Sequence, residues 1–264
     1  MAGLPDGAWA IALSSGGPRG FVHVGVLRAL DEIGVRPDLV VGASVGALVG
    51  ALYCGGVDTG ELTKIALDLE PWSMASFSIG TDERYSGAPI ARLLGEHLRE
   101  RQLERMRPRC GIVALDLRDR RPVVFTRGDA AVAVQASTAI ESRFAPVRIH
   151  GRDYGDPDKV MPMPVRIARE LGARYVMSVD ASAHEDQAPP GAERFRDTDR
   201  LKRELTLPDS RTADVALHPD FGYWVSLSKA FRETAMEAGY RATMARHEEI
   251  IALARRSRAT ESRG

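Results

Sequence analysis

The chain has 264 residues, 44% of them hydrophobic and 27% charged, which is enough for a sizeable core. Its 36 Lys and Arg balance 36 Asp and Glu. There is therefore no basic excess to recruit nucleic acid, and the arginines near the C-terminus (Arg246, Arg255, Arg256, Arg258, Arg263) read as a solvated helix end. Cys54 and Cys110 form no C-x-x-C pair, so no metal knuckle or redox motif is indicated and both are expected to be buried thiols. The opening MAGLPDGAWAIAL lacks the basic n-region and long apolar run of a signal peptide, and no stretch of about 18 apolar residues is present to span a bilayer. A cytoplasmic protein is expected.

Trp9–Leu13 (WAIAL) is a compact apolar run and predicts a first buried strand. The glycine-rich turn Ser14–Gly20 leads into Phe21–Ile33, whose apolar spacing is helical and which Gly34 closes. A strand over Asp38–Gly42 and a helix over Val45–Tyr53 follow. Two strands joined by a helix this early predict a parallel α/β sheet. Asp58–Leu69 predicts another helix, and Pro71–Gly80 (PWSMASFSIG), apolar but aperiodic, a loop. Ala88–Met106 predicts one long amphipathic helix. Cys110–Leu117 and Pro122–Thr126 predict two strands with a turn at Arg118–Arg121, and Asp129–Ser137 an alanine-rich helix capped by Asp129. Phe144–Ile149 predicts a short strand, Gly151–Pro157 a polar turn, Pro164–Gly172 a helix and Arg174–Asp180 a buried strand. The most polar stretch, about 183–209, predicts a mobile excursion rather than a domain boundary. Ala213–Leu217 predicts a last strand, and Ser226–Arg256 a long helix broken near Gly239. These elements predict one domain over residues 1–264, with a sheet of roughly six strands and helices on both faces.

The chemistry centres on Val40–Ala47, reading VVGASVGA. An apolar run meets Gly42-Ala43-Ser44-Val45-Gly46 and an Ala/Leu/Val-rich helix follows. In such a G-x-S-x-G elbow the serine sits at the apex of a sharp strand-to-helix turn with its hydroxyl exposed. The flanking glycines leave room where a Cβ would collide. The helix N-terminus behind the serine favours developing negative charge. A serine nucleophile also needs N–H donors for an oxyanion and a base for its proton. The donors are expected from the amides of Gly16, Gly17, Arg19 and Gly20 in the turn Gly16-Gly17-Pro18-Arg19-Gly20, and of Val45. That glycine turn matches neither G-x-G-x-x-G nor a P-loop, so nucleotide binding is weakly supported; Arg19 fits a phosphate fork or a helix brace equally. Two bases are open. A histidine triad would draw on His184, His218 or His247, with His23 inside a helix face and structural, but a single strand before Ser44 is too few for an α/β-hydrolase. Asp156, in the turn before Pro157, is the carboxylate alternative.

At this point the chain resembles the patatin-like phospholipases, over about Ala10 to Glu249. SGGPRGFVHVGVLRAL is similar to their glycine-rich oxyanion loop, with Gly16, Gly17, Arg19 and Gly20 as the G-G-x-R-G core. VVGASVGALVGALY is similar to their elbow, with Gly42, Ser44 and Gly46. VALDLRDRRPVVFTRGD, AVQASTAI and GRDYGDPDKVMPMPVRIARELGA are similar to their middle strands, helix end and base segment. The resemblance implies a three-layer α/β/α fold with a mainly parallel central sheet. It implies a Ser44–Asp156 dyad acting on fatty-acyl esters of phospholipids or related lipids, with no metal, no cofactor and no catalytic histidine. A lipid or acyl-ester substrate and a peripheral membrane surface are the partners it implies, with oligomeric state left open. Trp72, Met74, Phe77 and Ile79 would then border the acyl cleft or plug the core under their loop.

Four residues depart from the family pattern. Pro157 and Asp158 stand in place of glycines, Glu141 in place of a proline, and Ser15 in place of a further glycine. Proline fixes φ and offers no N–H, so the loop carrying Asp156 is expected to be displaced or loosely ordered. A second carboxylate beside Asp156 is expected to raise the apparent pKa of one of the pair. These departures keep two alternatives open: a catalytically weakened relative that binds lipid or a protein partner, and acyl transfer to an acceptor other than water.

Overall fold

The computed structural model describes residues 4–69, 88–141 and 143–261. Its centre is one eight-stranded sheet in the order β5-β6-β3-β2-β1-β7-β8, with β4 pairing β3 off that path. The strands β1 (Trp9–Leu13), β2 (Leu39–Ala43), β3 (Arg109–Asp116), β7 (Tyr175–Val179) and β8 (Val215–Leu217) are mutually parallel. The antiparallel strands β4 (Arg121–Phe125), β5 (Val147–Ile149) and β6 (Arg152–Gly155) extend the sheet beyond β3. The sheet is thus mainly parallel and layered between helices, as the sequence predicts.

Alternation along β1 divides two cores. Trp9, Ile11 and Leu13 face a large core shared with α1 (Phe21–Glu32), α2 (Val45–Cys54) and α3 (Thr59–Asp68). Ala10 and Ala12 face a smaller core with Met161, Met163 and α6 (Val165–Glu170). The first core is closed from outside by α8 (Lys229–Met244), which crosses α1 at near backbone contact. A Cβ on Gly25 would stand 1.7 Å from the Met236 carbonyl oxygen, and one on Gly239 2.1 Å from that of Val22. Gly239 is therefore a packing residue, not the expected break. The chain breaks later, at Ala245–Arg246, before α9 (His247–Glu261).

Other elements depart from expectation for local reasons. The amphipathic run that begins at Ala88 forms α4 (Ala88–His97) and stops there. The amides of Arg99 and Glu100 turn away to the Gly55 carbonyl, each at 3.0 Å, and tertiary pairing overrides helical propensity. Arg152–Gly155, expected as a turn, is strand β6. It closes a hairpin on β5 through His150 and Gly151, with φ of +48° and +80°, the positive pair that a tight two-residue connection uses. Arg152 pins that hairpin to Asp116 at 2.6 Å and Asp119 at 2.7 Å. The alanine-rich segment is α5 (Ala130–Ser137), with the Asp129 carboxylate capping the Ala131 amide at 2.8 Å. Most of the polar stretch 183–209 is helical, as α7 (Glu193–Ser210). The loop Pro71–Gly80 with Trp72, Met74, Phe77 and Ile79 lies outside the described residues. Among the described residues no helix is long and apolar enough to cross a membrane.

Candidate active site

Ser44 stands between the end of β2 and the start of α2, with φ +53° and ψ −121°. A non-glycine residue holds such angles only when its surroundings fix them. Here they do. A Cβ on Gly42 would lie 2.3 Å from the Gly46 carbonyl oxygen, and one on Gly46 2.4 Å from that of Leu13. The elbow is thus folded against the end of β1 with no room for side chains at either glycine. The Ser44 amide donates to Ser137 Oγ at 2.8 Å, and Ser137 Oγ donates to the Val113 carbonyl at 2.6 Å. The end of α5 and the middle of β3 therefore hold the strained turn from below.

Asp156 follows β6. Its amide donates to the Ala139 carbonyl at 2.9 Å. Its carboxylate accepts from Ser44 Oγ at 2.6 Å through Oδ2 and from the Asp158 amide at 2.8 Å through Oδ1. Both side chains are nearly enclosed, with Ser44 7% and Asp156 6% exposed. Burial, then the neighbouring Asp158 charge, raise the Asp156 carboxyl from 3.8 to about 7. A carboxylate with that affinity can take a hydroxyl proton near neutrality. The base loop is held by its own hydrogen bonds. Pro157 serves as an acceptor, its carbonyl taking the Val160 and Met161 amides at 2.9 and 2.8 Å, while the next residue supplies the N–H that proline lacks.

The glycine-rich loop leaves β1 and turns through a short 3₁₀ segment at Gly17–Gly20. Gly20 lies against the elbow helix, where a Cβ would meet Val45 Cγ1 at 2.3 Å. The Arg19 amide is engaged inside the turn, by the Gly16 carbonyl at 3.2 Å. The Gly16 and Gly17 amides open the turn, and the Val45 amide opens α2, positions that have no acceptor within their own helix. The Arg19 guanidinium feels the charges of Asp199, Tyr223 and Asp158, and burial lowers its pKa. Its Nε has no hydrogen-bond partner among the described residues.

Among the described residues none of the other sequence candidates is hydrogen-bonded to Ser44. His23 is fully buried and its Nε2 lies 2.9 Å from the Ser14 carbonyl; burial pushes it down to about 4, so it is neutral. His184 and His218 stack on each other at 3.7 Å, beyond the ends of β7 and β8. His247 Nδ1 faces the Met244 carbonyl at 2.8 Å. Cys54 and Cys110 are both free and buried, and burial raises the Cys54 thiol. Glu141 forms a two-pronged pair with Arg120 at 2.6 and 3.2 Å. A cavity lined by Leu4, Leu39, Leu103, Cys110 and Leu171 lies at the opposite ends of the strands from Ser44. Among the described residues no group of His, Cys, Asp or Glu is arranged to hold a metal ion.

The structure also brings in residues that the sequence reading did not assign. Ser137 carries the Ser44 amide; the AVQASTAI segment that contains it pointed to the place but not to the role. From α7, Lys202 Nζ reaches Asp158 Oδ1 at 2.5 Å and Ser15 Oγ at 3.1 Å, and Arg203 pairs with Asp180 at 2.7 Å.

The sequence model of the family described as "Patatin-like phospholipase" matches residues 11–168. An uncharacterized NTE family protein of Mycobacterium tuberculosis (strain ATCC 25618 / H37Rv) is 30% identical over 188 residues, covering 67% of this chain and 49% of that protein. Patatin-like phospholipase domain-containing protein 6 of Homo sapiens is 27% identical over 187 residues, covering 67% of this chain and 14% of that protein. The chain thus spans half or less of the length of these relatives. The solved structure of VipD from Legionella pneumophila superposes with a TM-score of 0.52 at 14% identity, over 94% of this chain and 67% of that one, a likeness of fold.

Proposed function

Because this chain belongs to the patatin-like phospholipase family, we propose that it hydrolyses fatty-acyl esters of phospholipids or related lipids, with Ser44 as nucleophile and Asp156 as base. One observation carries the reading: the strained elbow serine donates to a buried carboxylate at 2.6 Å. As Asp156 takes the hydroxyl proton, Ser44 Oγ attacks the ester carbonyl carbon and its π electrons move to oxygen. That oxyanion is received by the amides of Gly16, Gly17 and Val45. Collapse of the intermediate breaks the bond to the alcohol, which takes the proton from Asp156 and leaves as the lysolipid. Water then gives a proton to Asp156 and attacks the acyl-Ser44 ester. The second collapse releases the fatty acid and returns the proton to Ser44 Oγ. Burial favours this chemistry, since it raises the basicity of Asp156 and excludes competing water.

A long acyl chain is delivered from a membrane or micelle surface, so contact with a lipid surface belongs to the same reading. A fluorophosphonate probe tests it directly. Covalent labelling of Ser44, lost in Ser44→Ala together with ester hydrolysis while circular dichroism and melting stay unchanged, is the expected result. An unlabelled Ser44, or hydrolysis surviving in the folded Ser44→Ala protein, would overturn it; an unlabelled serine is also what a lipid-binding relative without catalysis would give.

A further inference from the structure

Two of the residues that depart from the family's glycines, Ser15 and Asp158, meet in one contact, and a third partner arrives from far along the chain. Ser15 Oγ donates to Asp158 Oδ1, and Lys202 Nζ lies 2.5 Å from the same oxygen and 3.1 Å from Ser15 Oγ. Ser15 is fully buried on the glycine-rich loop, with its amide on the Pro162 carbonyl at 2.9 Å. Asp158 is on the base loop, and its amide holds Asp156 Oδ1 at 2.8 Å. Lys202 is on α7, with its side chain 17% exposed. One ammonium thus ties together the loop that carries the oxyanion donors, the loop that carries the base, and α7.

We propose that Lys202 is a positioning residue for the Ser44–Asp156 pair: by neutralising Asp158 it holds the base loop on Ser44 and governs how readily Asp156 accepts a proton. The inference rests on the dyad reading above, but its central quantity, the proton affinity of Asp156, can be measured without catalysis. Asp158 and Lys202 act on Asp156 in opposite directions. The Asp158 anion raises its pKa and the Lys202 cation lowers it. Burial alone would raise the Asp158 carboxyl too, but Lys202 and the Ser15 hydroxyl hold it below the usual carboxylate range, so the second charge beside the base is permanent near neutrality. Titratable groups near this contact include Lys159 on the same loop and the Arg19 guanidinium on the glycine-rich loop, both felt by or feeling Asp158, and the neutral His23 on α1, which feels Lys202. Asp116 and Arg152, on β3 and β6, are paired with each other at 2.6 Å.

The test is a set of carboxyl titrations by carbon-13 NMR on the full chain, in Ser44→Ala to remove turnover, alongside pH–rate profiles in the active protein with a soluble acyl ester. Lys202→Met leaves Asp158 uncompensated and moves the Asp156 midpoint up by about one pH unit; Asp158→Asn removes the anion, keeps its amide, and moves the midpoint down by a similar amount. Lys202→Arg keeps the charge and stays near the parent midpoint. In the double variant Lys202→Met/Asp158→Asn both charges are gone and their opposing effects on Asp156 offset, so the midpoint returns toward that of the parent. A purely structural tether gives a different pattern: both single variants lower melting temperature and neither moves the midpoint, or both move it the same way. Either pattern overturns the proposal. If the titrations behave as stated but no variant hydrolyses ester, the dyad reading fails and the electrostatic coupling stands.

Discussion

On the proposed dyad reading, replacing Asp156 by asparagine separates what this carboxylate contributes to chemistry from what it costs the fold. Asparagine has the same shape and keeps both contacts: its oxygen can accept from the Asp158 amide while its NH₂ group faces Ser44 Oγ, now 2.6 Å from Asp156. Its carboxyl charge is lost. In the folded protein that carboxyl sits at about 7, against 3.8 for an exposed aspartate. A carboxyl raised on folding is protonated in both states below 3.8, so there it costs nothing. As pH climbs from 3.8 toward 7 the unfolded chain ionises freely and the folded one does not, so stability falls, and the loss is complete above about 7. At about 1.4 kcal/mol per pH unit the interval is worth on the order of 4 kcal/mol. Asp156→Asn is therefore expected to be inactive and yet more stable than the parent at about pH 8, by up to about 4 kcal/mol, with the gap closing toward about pH 4. Urea unfolding of both proteins, followed by tryptophan fluorescence at the two pH values, measures it. A gap that does not change with pH, or a parent that is the more stable at the higher pH, refutes the argument that Asp156 is held in a hostile site.

Three further outcomes follow from the same contacts. Ester hydrolysis should rise with pH to a midpoint near 7, because only the ionised Asp156 can take the Ser44 proton; a flat profile across that range removes Asp156 as the titrating group. Ser137→Ala leaves the buried Ser44 amide without the oxygen it meets at 2.8 Å and should cost about 1–3 kcal/mol in thermal or urea unfolding, with slower turnover from a slackened elbow. Gly20→Ala drives a methyl into Val45 at 2.3 Å and should slow turnover more than it lowers melting temperature, with Val45→Ala in the same chain restoring part of the rate.

How much of this was legible in the residues differs between the two halves of the site. The nucleophile half is local. Strand, glycine, serine, glycine and helix lie within one short stretch, and collisions at Gly42 and Gly46 make the spacing compulsory, so the strand–turn–helix elbow that carries Ser44 could be read from the sequence alone. The strands β1, β2, β3 and β7 were legible for a related reason: they are buried on both faces and read as continuous apolar runs. The base half is not local. Asp156 in a polar turn looks like a turn former until β6 pairs with β3, and no periodicity marks a four-residue strand. The helix α7 escaped because the residues it turns inward are polar. Asp199, Lys202, Arg203 and Thr206 follow the i, i+3, i+4, i+7 spacing of one helical face, meeting Tyr223, Asp158, Asp180 and the interior. A search for apolar residues at that spacing passes over such a helix. The same holds for Gly239, read as a helix breaker when it is the point where two helices touch.

On the proposed dyad reading, the position of Asp156 in the sheet also makes hydrolysis a gauge of local opening. Asp156 hangs from β6, which among the described residues joins β3 through two register pairs, Leu115 with Gly155 and Asp116 with Tyr154, and the Leu117 amide on the Asp153 carbonyl, and has the three-residue β5 on its far side. The elbow serine, by contrast, is rooted in β2, at the middle of the parallel strands. Border hairpins of this kind come loose at lower free energy than the centre of a sheet. In mild denaturant the hairpin should therefore leave first, carrying the base away from a serine that has not moved. Hydrolysis would be extinguished while the tryptophan signal of Trp9 in β1 still reports a folded interior, and on dilution it would return as quickly as a hairpin re-forms rather than as slowly as the whole chain folds.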